Sequence, residues 1–286
     1  MNFWIIQGLN GLAFGSLLFI LASGFSLIFG LMRIVNLSHG AYFMLGAYVG
    51  LSAIGAGVNF WVAILLGGAA ISILGALIER FILRRLTGQP LAQVLVTLGI
   101  AFIIADACVW IWTGDPRPVP MPSELTGAFR VANLAFPIYR LFVIGVAFVL
   151  AIALWFLLER SRLGAMIRAG VDDLTMARAM GIRTSLLFSV VFCLGSALAG
   201  AGGVLAGPIL SVYPGLDTDM LPLALVVVIL GGVGSLLGAF VGSLIIGFIY
   251  SYGQALFPDL AYVILFLPMV LVLTLRPTGL FGRQAI

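Results

Sequence analysis

The sequence predicts an all-α, polytopic membrane protein with about nine transmembrane segments (range about 8–10), some of them short or broken. Three observations predict it. Of 286 residues, 63% are hydrophobic and only 8% are charged, which leaves too little polar sequence to cover a soluble fold. Apolar stretches of span length follow one another along the whole chain, separated mostly by short charged interruptions. The basic residues cluster so that nine crossings place eleven of the fourteen on one side.

The first stretch runs from Phe3 to Met32 without a charge. It has no basic region ahead of it and exceeds the roughly 7–15 apolar residues of a secretory signal, so it reads as a retained span, centred on 9–31. Further spans are expected at 41–58, 60–78, 91–113, 141–158 and 186–207, and a last one at 260–275. The region 222–252 is ambiguous. As one helix it would be about 46 Å long, too long for one straight span and short for two. Gly231-Gly232-Val233-Gly234 divides it. The whole, residues 1–286, reads as a single transmembrane domain with two longer loops, 114–140 and 159–185. Five prolines (Pro116, Pro118, Pro120, Pro122 and Pro137) make the first loop extended rather than helical.

Charge decides the topology. If 222–252 crosses twice, Arg33, Arg80, Arg84, Arg85, Arg160, Arg162, Arg168, Arg178, Arg183, Arg276 and Arg283 share one side with Glu79, Glu159, Asp172 and Asp173, a balance of +7. The other side carries Arg117, Arg130 and Arg140 against Asp115, Glu124, Asp217, Asp219 and Asp259, a balance of −2. The positive-inside rule then puts the N-terminus out, the C-terminus in, loop 159–185 in the cytoplasm and loop 114–140 outside. Trp4, Trp61, Trp110 and Trp112 fall at outer span ends and Trp155 at an inner one, as interfacial indoles do.

Several function classes drop out. All 14 basic residues are arginine, so the chain has no Walker A lysine and is no P-loop ATPase by itself. A net charge of +4 makes no nucleic-acid surface. Cys108 and Cys193 lie in apolar runs, and one histidine with two separate cysteines forms no zinc site. Gly232-Val233-Gly234 lacks the third glycine of a dinucleotide loop, since Leu237 stands there.

Glycine is the strongest positive signal, at 36 residues. Gly234, Gly238 and Gly242 recur every four residues, as do Gly195, Ala199, Gly203 and Gly207. That spacing lets another helix backbone approach closely. Such contacts either pack statically or, together with the breaks near Gly203 and Gly231-Gly232, slide during gating or line a path. Asp106 is the acid deep in an apolar span, so it either lines a path or finds interfacial water or a structural partner. Arg33, Asn36, Ser38 and His39 make a polar joint between the first two spans, expected at the cytoplasmic boundary. In loop 159–185, Leu174, Ala177, Met180 and Gly181 fall on one helical face just after Asp172 and Asp173, with Met176 and Arg178 between them. This predicts a short amphipathic helix stopped at Gly181, suited to a groove on a partner protein or to the membrane surface.

Three blocks carry a family resemblance: GFSLIFGLMRIVNLSHGAYFMLGAY at 24–48, IRAGVDDLTMARAMGI at 167–182 and ILGGVGSLLGAFVGSLIIG at 229–247, with LRPTGLFGR at 275–283. The chain resembles the permease subunits of branched-chain amino-acid ABC transporters, of the shorter, LivH-type kind. The resemblance implies a non-catalytic pore subunit in the bacterial inner membrane. It would pair with a longer LivM-type permease, two cytoplasmic ATPases that bind ATP and Mg, and a periplasmic protein delivering Leu, Ile, Val or a similar solute. It also implies no cofactor in this chain. The family's coupling helix, which docks on the ATPase, maps onto Asp172 to Gly181. The chain departs from the family pattern at Ala41 and Tyr250, where many members carry an acid. The alternative, an ion-coupled secondary transporter or channel, would need several intramembrane acids where only Asp106 is found.

Overall fold

The computed structural model describes residues 2–131, 134–276 and 278–282. Six helices are long and apolar enough to cross a membrane. They lie in α1 (Asn2–Met32), α3 (Phe60–Phe81, with a 3-10 turn continuing to Leu86), α4 (Pro90–Trp112), α5 (Ile138–Arg160), α8 (Thr184–Leu210) and α10 (Leu236–Leu256). Three shorter apolar helices stand among them: α2 (His39–Gly55), α9 (Leu216–Gly231) and α11 (Ala261–Leu275). Each of the nine apolar segments expected from the sequence, with 222–252 counted as two, has its helix.

α1 is apolar on all sides and almost wholly buried, which makes it the axis of the bundle. α5, α8, α9 and α10 pack against it and α2 packs on α8, α3 and α9, whereas α3, α4 and α5 turn most of their surface outward. Glycines set the close approaches. A Cβ on Gly24 would meet the Gly195 backbone, one on Gly46 the Gly200 backbone and one on Gly15 the Ser243 carbonyl. Backbone-to-backbone packing of this kind is how apolar helices associate where burial from water supplies no drive. One acid in the core, Glu79, is fully satisfied: Arg84 reaches it at 3.1 Å and Ser189 Oγ donates to it at 2.6 Å.

The ambiguous region does divide. α9 ends at Gly231, and α10 starts at Leu236 after a turn in which Gly232 (φ 101°) and Gly234 (φ 75°) adopt left-handed conformations open chiefly to glycine. Ser235 caps α10, accepting from the Gly238 N–H at 3.0 Å. The C-terminal tail closes the same turn: the N–H groups of Leu280 and Phe281 donate to the Leu230 and Gly231 carbonyls at 2.9 and 3.0 Å.

The ends of the bundle differ in chemistry. One end gathers the starts of α1, α3 and α5 with the ends of α2, α4, α8 and α10. It is joined by Tyr252 to the Trp4 carbonyl, Trp112 to Ser52, Tyr139 to the Leu205 carbonyl and Trp61 against Phe142. Arg33, Arg80, Arg84 and Arg160 lie toward the opposite end with α6 (Arg162–Asp172) and α7 (Leu174–Ala179).

The all-α class holds, and loop 114–140 is extended as its prolines predict: within it β1 (Ala128–Val131) pairs antiparallel with β2 (Leu134–Pro137), with Phe129 opposite Phe136. Three expectations need correction. Loop 159–185 holds two helices, since Ser161 caps α6 by accepting from the Gly164 N–H at 3.0 Å. Gly234 belongs to the turn and shares no helix face with Gly238 and Gly242. Asp217, assigned to an outer loop, is buried in the first turn of α9. Arg283, counted on the arginine-rich side, lies outside the described residues, as does Pro277 of the C-terminal block.

Candidate functional site

α2 does not start at the end of α1. Arg33 closes α1 in a left-handed conformation (φ 54°), and residues 33–36 run without helix back along the bundle. His39 Nε2–H donates to the Leu21 carbonyl at 3.1 Å. Leu21 lies eleven residues before Met32, about 16 Å along the helix. The polar joint therefore sits beside the middle of α1 rather than at the boundary expected for it. The Leu37 N–H donates to Thr97 Oγ1 on α4 at 3.2 Å, which fixes the link from a second side. Asn36 Oδ1 accepts from Ser38 Oγ at 2.6 Å and from the Ser38 N–H at 3.2 Å.

The start of α9 reaches the same place, because Gly40 lies against the Asp217 carbonyl and Leu221. Two helix N-termini thus meet inside the bundle, each bringing unpaired N–H groups and the positive end of its dipole. Asn36 and His39 are both wholly buried, and Asn36 Nδ2, His39 Nδ1 and Asp217 Oδ1 have no hydrogen-bond partner among the described residues. Buried polar atoms left so are costly, and discontinuous helices with spare polar capacity are the usual form of a transport path.

The glycines named from the sequence divide among several contacts. Gly203 lies against the Phe43 carbonyl of α2, close to this junction. Gly231 and Gly238 touch each other across the α9–α10 turn, and Gly242 meets the Val227 carbonyl. Gly232 packs on Gly282 and Thr278, and Gly234 on Gly30. Asp106 is elsewhere: it is exposed on the outward face of α4, along with Phe102, Ile103 and Trp110.

At the arginine-rich end, Asp173 caps α7, its Oδ1 accepting from the Thr175 and Met176 N–H groups at 2.8 and 3.0 Å. Gly181 follows with φ 84°. Ala177 is buried and Leu174 half-buried, and Arg178 Nε donates to Thr184 Oγ1 at 3.0 Å. Met176 and Met180 stand outward, 59% and 77% exposed. Asp172 ends α6 rather than opening α7. The pair is tied to α1: Gly170 lies against Leu31, and the Arg33 guanidinium donates to the Val171 carbonyl at 3.4 Å.

A cavity of about 380 Å³ opens at the tryptophan-rich end, between the starts of α1 and α5 and the ends of α8 and α10. Arg140 lines it, half-buried and donating to Asn10 Oδ1. Sequence reasoning assigned Arg140 only to a charge balance. Its position three residues after Pro137 gave no sign of a pocket.

Residues 8–273 match the family described as the permease component of branched-chain amino acid transport systems. The chain is 29% identical to the high-affinity branched-chain amino acid transport system permease protein BraD of Pseudomonas aeruginosa, over 99% of this chain and 97% of that protein. It is likewise 29% identical to LivH of Escherichia coli K12, with the same coverage. It is 26% identical to the ribose import permease protein RbsC of the same organism, over 87% of this chain and 78% of that one. Among solved structures it resembles PsaBC from Streptococcus pneumoniae in complex with Fab, with a TM-score of 0.51, 14% identity and coverage of 96% and 92%. At that identity the likeness is one of fold.

Proposed function

The chain belongs to the permease components of branched-chain amino acid transport systems, and from that membership we propose that it forms part of the pore of an ATP-driven importer for Leu, Ile, Val or a related small solute. The observation that carries this reading is the end-to-end match to relatives so named. All nine apolar helices cross the bacterial inner membrane, with the arginine-rich end in the cytoplasm, the N-terminus out and the C-terminus in. The partners are a longer permease of the LivM type, two cytoplasmic ATPases and a periplasmic solute-binding protein. ATP and Mg belong to the ATPases; this chain is a non-catalytic subunit.

The geometry supports a definite route for coupling. Met176 and Met180 on α7 offer an adaptable apolar surface to a groove on the ATPase. A push on α7 passes through α6 to Leu31 and Arg33. Arg33 begins the link that ends at His39, so the push reaches the junction where α2 and α9 start. Helices in contact through glycine backbones can then shift past one another with few side chains to repack. Asp106, on the open face of α4, faces the second permease rather than lipid, where a carboxylate is costly.

The test is reconstitution with the partner subunits in proteoliposomes. The expected result is leucine uptake that needs both ATP and the binding protein. Uptake by this chain alone, without ATP, would overturn the reading in favour of a secondary transporter.

A further inference from the structure

The cavity at the tryptophan-rich end has no role in the coupling route, yet its walls are chemically specific. Arg140 is its one charged lining residue, and no carboxylate lies within ion-pair reach of it among the described residues. One guanidinium N–H goes to Asn10, and four remain from the planar fork that suits a carboxylate. The wall beside it is a chain of neutral polar groups. Asn10 Nδ2 donates to Gln7 Oε1 at 3.4 Å, and Ser251 Oγ donates to the same oxygen at 2.9 Å. One turn further along α1 from Asn10, Phe14 stacks on Tyr250 at 4.2 Å, and Ile209 and Leu210 add to the apolar lining.

A half-buried cation, neutral hydrogen-bonding groups next to it and an aromatic and aliphatic lining make an amphipathic pocket. Its volume is at the small end of the roughly 300–1,000 Å³ of ligand sites. The geometry points to a binding site for a small apolar monocarboxylate, the α-carboxylate of an aliphatic amino acid held by Arg140 with its side chain against Phe14, Ile209 and Leu210. Among the described residues no acid lines the cavity, so an ammonium group meets only neutral oxygens, and the carboxylate is the recognised feature. This site would take the solute at the outer mouth of the pore. That assignment of its ligand rests on the importer reading above.

The experiment uses the full chain in phosphatidylcholine nanodiscs and measures saturable binding of radiolabelled L-leucine. Isovalerate, which keeps the carboxylate and loses the ammonium, is expected to compete. L-leucinamide, which lacks the carboxylate, is expected to compete at least tenfold less well. Arg140→Gln should weaken binding tenfold or more, and Arg140→Lys should recover part of it, which a merely misfolded variant would not. Equal competition by leucinamide, or unchanged binding in Arg140→Gln, overturns the proposal. Binding of phosphatidylglycerol that neither leucine nor isovalerate displaces overturns it in favour of a lipid headgroup. The two readings fail separately. Carboxylate binding without ATP-driven leucine uptake in the assembled importer sinks the importer reading alone. Uptake that survives Arg140→Gln unchanged sinks the site alone.

Discussion

His39 on α2 donates from Nε2 to the carbonyl of Leu21 in the middle of α1, at 3.1 Å. The Leu21 carbonyl lies within a helix, so the bond joins the start of one helix to the side of another deep in the bundle. It holds the N-terminus of α2 where the start of α9 also arrives.

His39→Ala should therefore remove an anchor that no neighbouring group replaces. The expected loss is about 1–3 kcal/mol in stability, the cost of leaving a buried partner unsatisfied. It reads out as a lower melting temperature in detergent, with leucine uptake by the assembled importer reduced at least as strongly. An unchanged melting temperature would show that packing alone holds the junction.

Glycines in contact and glycines in the open should answer differently to the same change. Gly46→Val drives a side chain into the Gly200 backbone and is expected to abolish folded protein or lower its melting point severely. Gly145→Ala on α5 meets nothing within 4 Å and should melt no lower than the parent, since alanine is the better helix former. Size-exclusion profiles and thermal melts of the two variants check both halves.

Met176 and Met180 touch solvent rather than the bundle, so exchanging both for asparagine should leave the stability of the chain within about 0.5 kcal/mol of the parent. Recovery of the ATPases on the tagged chain should fall several-fold, and ATP-driven uptake with it. Full recovery and full uptake would remove α7 from the docking surface. Deleting 172–181 extends the same comparison.

Asp106→Asn separates an intramolecular role from an intermolecular one. The side chain is exposed on α4, so the isolated chain should be unaffected. Assembly with the second permease, or uptake by the complex, should decrease. No change in either would leave Asp106 as a carboxylate that merely reaches the interface.

The helices were legible because apolar length is a one-dimensional property. The runs ending at Met32 and Leu275 needed only counting, and the Gly231–Gly234 cluster marked the break between α9 and α10. Depth was not legible. Residues 33–39 read as an ordinary polar loop, and only the contacts of His39 with Leu21, Leu37 with Thr97 and Gly40 with Asp217 draw them inward. Asp217 looked like a loop acid because nothing local says that α9 begins before Pro222. The α7 helix was legible from its cap and stop, Asp173 and Gly181, whereas α6 needed the contact of Gly170 with Leu31 to show what its apolar residues face. The Arg140 cavity joins residues from four helices distant in sequence. Tyr250, noted only as a departure from the family pattern, proves to be one of its walls.

The bonds from Leu280 and Phe281 to the last carbonyls of α9 join two parts of the chain that two further helices, α10 and α11, separate. A helix that ends in an apolar setting needs its terminal carbonyls answered, and here a segment beyond α11 answers them. The turn between α9 and α10 is therefore latched only after α11 has folded back against them. Assembly of this corner is cooperative: a change that unseats 278–282 loosens a turn about fifty residues earlier.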